Sequence, residues 1–156
     1  MRRKDREIKN YDQLLEILSQ ADTCRLAFSN DNIPYIVAMN YGFVEGEKTV
    51  LYFHTAKKGK KLDMLANNNY VCFQVDTNHN LISGDKACDY TMTFKSIVGY
   101  GNIEIVDEKN EKILALNKIM QHYTDKKVWE YPDRMLNATC ILKLTVTEMT
   151  GKALQQ

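Results

Sequence analysis

IPYIVAMNYGF, residues 33–43, alternates along its whole length. Ile33, Tyr35, Val37, Met39, Tyr41 and Phe43 fall on one face of an extended chain, the pattern of a strand with one buried side. Bulky residues on a single face suit the inside of a β-barrel. Pro34, Ile36, Ala38, Asn40 and Gly42 fall on the other face and most are small. A face of this kind lets a flat object lie against the backbone.

The neighbouring segments follow the same period. Cys24, Leu26 and Phe28 alternate ahead of a turn at Ser29–Asn32. Glu45–Lys48 turns the chain, and Thr49–Thr55 returns as a hairpin partner. Tyr70–Asp76 is a further strand with Val71, Phe73 and Val75 inward, followed by a polar loop through Lys86. Residues 90–106 read as one long strand or a bent pair, with Gly99 and Gly101 marking a bulge or corner. Cys140–Met149 is the last strand. Helices are expected over 11–20, where Asn10 and Gln13 resemble a capping box, and over roughly Gly59–Asn68. A third, of about sixteen residues, is capped by Asp107 and buries Ile113, Leu116 and Met120; residues 124–138, with Trp129 and Tyr131, are irregular. Six or so antiparallel strands with attached helices predict a mainly β, closed or split barrel in one domain over residues 1–156.

Composition narrows the function. The chain carries 21 basic and 20 acidic residues, a formal charge of +1. A nucleic-acid binder shows a much larger basic excess. No window approaches a membrane span, and the charged start MRRKDREIKN has no apolar stretch behind it, so it does not read as a secretory signal. Cys24, Cys72, Cys88 and Cys140 are scattered without a CxxC, which predicts reduced thiols and a cytoplasmic protein. Cys88, in its loop, has no histidine beside it to activate it as a nucleophile. His54, His79 and His122 show no metal-ligand spacing.

One local feature stands out. In FHTAKKGKK, residues 53–61, four lysines crowd five positions at the end of a strand. The bland reading is a solvated charged face. Against it, Gly59 sits where the chain turns into a helix and lets backbone approach a ligand. Lys60 and Lys61 in a first helical turn oppose the positive helix end. A phosphate there would reverse that cost. No Walker motif is present.

Several segments in order, MRRKDREI, PYIVAMNYGF (34–43), LYFHTAKKGKKLDML (51–65), VCFQVD (71–76), FKSIVGYGNIEIV (94–106) and LTVTEMTGK (144–152), resemble the pyridoxamine 5'-phosphate oxidase-like, FMN-binding split-barrel superfamily. Within it they are similar to the 5-nitroimidazole antibiotic resistance proteins. The resemblance implies a six-stranded split barrel and a homodimer with FMN at the subunit interface. It implies that Lys61, ten residues before Val71, grips the flavin phosphate, with Lys60 a second contact and Lys95 and Ser96 also near the phosphate. The backbone of Met39, Asn40 and Tyr41 would line the isoalloxazine edge, with His54 and Thr55 beside the flavin and His54 toward the substrate. Ala38 replaces a frequent proline and Lys95 a frequent arginine; lysine keeps the charge but loses the bidentate fork.

The activity so implied is an FMN-dependent oxidoreductase. NAD(P)H would be the reductant, a nitroaromatic the small-molecule acceptor, and His54 the catalytic residue. The competing reading is a non-catalytic flavin- or haem-binding protein for storage or sensing. Pyridoxamine phosphate oxidation fits less well, because the tail TGKALQQ lacks arginines for a substrate phosphate. Trp129 and Tyr131 either cover a partner's flavin or pack as ordinary loop residues.

Overall fold

The computed structural model describes residues 3–154. The strands are β1 (Glu7–Ile8), β2 (Cys24–Asn30), β3 (Ile33–Met39), β4 (Tyr41–Val44), β5 (Val50–Ala56), β6 (Tyr70–Ile82), β7 (Thr91–Val106) and β8 (Thr139–Leu154). The helices are α1 (Tyr11–Gln20), α2 (Lys60–Asn67), α3 (Lys109–Tyr123) and α4 (Asp133–Ala138). All ladders are antiparallel.

The sheet runs β3-β2-β6-β7-β8-β5-β4, with β1 added to β8. Its two ends, β3 and β4, are the two halves of the 33–43 stretch, joined at Asn40. The barrel therefore closes through one covalent chain, and it is split where β3 turns to β2 and β4 turns to β5. Counting β3 and β4 together and leaving out β1, six strands surround the core. Inside lie Leu26, Phe28, Phe53, Phe73, Ile97, Leu142 and Leu144, all buried.

The single strand expected over 33–43 is thus two. At the break the Tyr41 N–H donates to the Tyr123 hydroxyl at 3.0 Å, and that hydroxyl donates to Asp22 O at 2.7 Å. His122 Nε2 is bonded to Ala21 O at 2.8 Å, so the end of α3 clamps both the break and the α1–β2 connection. Replacing Tyr123 by Phe strands the Tyr41 amide. Because Tyr123 is partly exposed and water can reach it, the expected loss is about 1 kcal/mol. That corresponds to a melting temperature lower by roughly 2–4 °C in a thermal scan.

Other boundaries moved for identifiable reasons. The polar segment after Asp76 continues as strand to Ile82, because the ladder to β7 resumes after a bulge at Asn78 (φ 59°) with Leu81 opposite Met92. The Thr93 hydroxyl secures this arm, donating to Asn78 O and accepting from the Asn80 N–H. Residues 91–106 form one strand, and the register shifts at Gly101, opposite an extra residue, Thr147, on β8. Glu108, not Asp107, caps α3, its carboxylate accepting from the N–H groups of Asn110 and Glu111. The buried stripe of α3 is Ala115 and Ile119, with Leu116 half-buried beside them, because the helix lies on Tyr52, Val106 and Ile141 outside the barrel. Residues 133–138, read as irregular, are α4. Asn10 caps α1 by accepting from the Asp12 N–H, an Asx-type cap.

Candidate functional site

The split is also where most of the singled-out residues meet. The β4–β5 register pairs Tyr41 with Phe53 and Gly42 with Tyr52. Asn40 precedes Tyr41 and His54 follows Phe53, so both stand at the end of that ladder. Asn40 and His54 are exposed on the outer face; Met39 is buried and Thr55 half-buried. On the outer face of β3, Pro34, Ile36 and Ala38 are exposed as well. Gly42 is different. A Cβ there would lie 2.3 Å from the backbone carbon of Lys118, so the flat object against this part of the face is α3 itself. Tyr41 is fully buried, with its hydroxyl donating to Leu18 O at 2.6 Å and its N–H taken by Tyr123.

The N-terminus of α2 stands at the same mouth. Gly59, at φ 139°, precedes Lys60 in a conformation that L side chains rarely adopt, and nothing lies within 4 Å of where its side chain would be. No side chain caps the helix. Backbone bonding to Gly59 O begins with the N–H groups of Leu62 and Asp63. The amides of Lys60 and Lys61, ahead of them, belong to the helix end that has no internal partner. Lys60 Nζ sits 4.8 Å from the centre of the Tyr35 ring on β3. Cys140 is the ladder partner of Thr55. Burial pushes the Cys140 thiol up, while Lys112, Lys57 and Lys61 pull it down through their charge. Lys60 thus reaches toward β3, and Lys61 follows it in the first turn of α2. The uncapped helix end, the open glycine and the paired cations fit a phosphate group.

Lys95 and Ser96 are not part of this gathering. His54 pairs with Ile141, which pairs with Val106, whereas Lys95 pairs with Ala153. That is eleven residues along β7, roughly 36 Å of strand. Lys95 Nζ is on Glu16 Oε1 at 3.2 Å, and the Ser96 hydroxyl reaches Lys152 O at 3.5 Å. Two cavities, of about 400 and 500 Å³, flank Lys95 and include neither His54 nor Lys61. Trp129 is half-buried, and the Tyr131 hydroxyl donates to Asn117 of α3 at 3.0 Å. All four cysteines are free; Cys88 is exposed, with its thiol 3.4 Å from Asp89 Oδ1. Among the described residues no cluster of three His, Cys, Asp or Glu could hold a metal ion, and no helix is long and apolar enough to cross a membrane. Tyr35 was missed as a site neighbour, because its place on the alternating face reads only as core.

Residues 10–153 match the family model of pyridoxamine 5'-phosphate oxidase. The chain belongs to that family. Among solved structures, a protein of Bacteroides thetaiotaomicron described as a candidate 5-nitroimidazole antibiotic resistance protein is 33% identical, with a TM-score of 0.83 over 94% of this chain and 86% of that one. A flavocytochrome of Azotobacter vinelandii shares the fold at 15% identity, with a TM-score of 0.82 over 100% and 72% of the two chains. An FAD- and haem-binding protein of Mycobacterium smegmatis does so at 14%, with a TM-score of 0.78 over 97% and 74%. Nothing among curated proteins matches the sequence. The split barrel expected from the sequence is the family's fold, and the likeness to a nitroimidazole-resistance protein extends over nearly the whole chain.

Proposed function

We propose that this chain is an FMN-binding flavoprotein that acts as a homodimeric oxidoreductase on electron-poor, nitroaromatic acceptors, with NAD(P)H as reductant. The single observation that carries it is the α2 N-terminus, with Gly59, Lys60 and Lys61 at the split beside Asn40 and His54. Backbone amides without internal partners and two successive lysines stand at this helix end, the groups a phosphate dianion requires. The family and the flavin-binding neighbours of the same fold support the choice of cofactor.

When bound, the flavin would supply the two-electron chemistry. The chain's residues bind and orient. Lys60 and Lys61 would hold the phosphate, and the exposed Asn40, between buried Met39 and Tyr41, would offer an edge for the ring system. His54 and Thr55, beyond Phe53 on β5, stand on the acceptor side, where the His54 imidazole can orient the acceptor or give it a proton. Within one subunit Lys95 and Ser96 are engaged with Glu16 and Lys152, away from the α2 end, so a part for them at the phosphate belongs to the proposed dimer. A dimer is supported by an apolar outer row, Ile36–Ala27–Cys72–Tyr100, that crosses four strands, with Tyr70 stacked on Tyr100 at 6.0 Å. Ile36, Tyr70, Val98 and Tyr100 are all exposed in the single chain.

His54→Ala tests the assignment. The variant is expected to retain FMN but lose roughly 100-fold in acceptor-dependent NAD(P)H oxidation. Unchanged turnover with FMN retained would remove His54 from the chemistry. Retained flavin with no turnover in the wild type would instead favour the non-catalytic binder.

A further inference from the structure

The N-terminal segment, α1 and the ends of β7 and β8 enclose a cavity of about 400 Å³ away from the split. Three cations, Arg3, Arg6 and Lys95, and three acids, Asp5, Glu7 and Glu16, line it. Two of the cations are satisfied. Arg3 makes a two-point contact with Asp5, at 2.8 and 2.6 Å, and Lys95 holds Glu16 at 3.2 Å. Arg6 is not satisfied. Its Nε is buried without a hydrogen-bond partner, and the Asp5 oxygen in ion-pair range, at 4.0 Å, already accepts from Arg3. A buried donor of a charged group left in this state costs more than a neutral one, so the arrangement asks for an acceptor from outside the described residues.

We propose that this cavity binds a small carboxylic acid, its carboxylate on the Arg6 guanidinium and its hydrocarbon body on Ile8, Ile17 and Leu154. The charges select the class. With Asp5 held by Arg3 and Glu16 by Lys95, Arg6 is the one lining cation left for an incoming anion, which matches a single negative charge. A planar carboxylate also matches the guanidinium fork. The volume admits a small-molecule carboxylate, of which benzoate is a minimal probe. The site stands independently of the flavin reading, because it shares no residue with the α2 grip.

Calorimetric titration of the full chain with sodium benzoate tests it. One saturable site is expected, weakened at least tenfold in Arg6→Lys, which keeps the charge and loses Nε. Lys61→Ala should bind benzoate as the wild type does, and neither inorganic phosphate nor FMN should displace it. Absence of saturable binding, or equal affinity in a folded Arg6→Lys protein, would overturn the proposal. Displacement by phosphate would overturn the carboxylate class, and displacement by FMN would overturn the separateness of the site. Should Arg6→Lys fail to fold, the arginine Nε–H resonances of ¹⁵N-labelled wild type decide. One is expected to shift saturably with benzoate, and no shift overturns the proposal.

Discussion

Lys61→Ala is expected to leave a desalting column colourless under conditions where the wild type, loaded with FMN, keeps the absorption bands of a bound flavin. The reasoning rests on position. Lys61 is at the first turn of an uncapped helix that follows β5. One charge-assisted contact to a phosphate is worth about 1.5–3 kcal/mol, so removing it should cost roughly 10- to 100-fold in FMN affinity. Lys60→Ala should cost less, since Lys60 also lies on Tyr35 and Lys61 remains. If Lys61→Ala holds FMN as tightly as the wild type, the lysine run is a solvated face and the proposed grip fails. A wild type that shows a Soret band and no flavin bands would point to haem instead.

The largest effect on stability is expected from a methyl group. Gly42→Ala would put Cβ 2.3 Å from the Lys118 carbonyl carbon and 2.4 Å from the Ile119 nitrogen. Both are backbone atoms of α3, so no side chain can swing aside. The helix must lift from Tyr52, Val106 and Ile141, the residues under which Ala115 and Ile119 are buried. It also carries the Tyr123 hydroxyl that receives the Tyr41 amide. Overpacking of this kind costs about 3 kcal/mol, which lowers the melting temperature by roughly 6–12 °C for a chain of this size. Gly46→Ala is the comparison, because its Cβ would meet only Lys48 O at an ordinary 3.6 Å. Equal melting temperatures for the two variants would mean that α3 is not seated on β4.

The contrast between Gly42 and the lysine run shows what could be read locally. Gly42 sat on a face of small residues, and a small-residue face looks the same whether a ligand or a helix covers it. The lysine run was legible because its oddity is local: cations at a helix start conflict with the helix end over a few residues, and the conflict is visible without a fold. His54 and Thr55 were tied to it through the short strand that leads into it, whereas the place of His54 at the Tyr41–Phe53 end of the ladder, near Asn40, needed the β4–β5 register.

The alternating runs at 24–29, 33–43, 50–55 and 71–76 determined a mainly β barrel by themselves, since burying one face of a strand imposes a period of two on any sequence. That same period continues unbroken through Asn40, so the split in the strand could not be seen there. It comes from which strands pair on either side and from Tyr123 arriving eighty-two residues later to take the Tyr41 amide. The strand beyond Asp76 was hidden for the opposite reason: its residues are polar and outward, and ladder hydrogen bonds, which carry no side-chain signature, hold it in place. The Arg6 cavity belongs to tertiary structure alone. Arg6 and Glu16 lie far in sequence from Lys95 and Leu154, and only folding leaves one buried guanidinium nitrogen among them without an acceptor from the described residues.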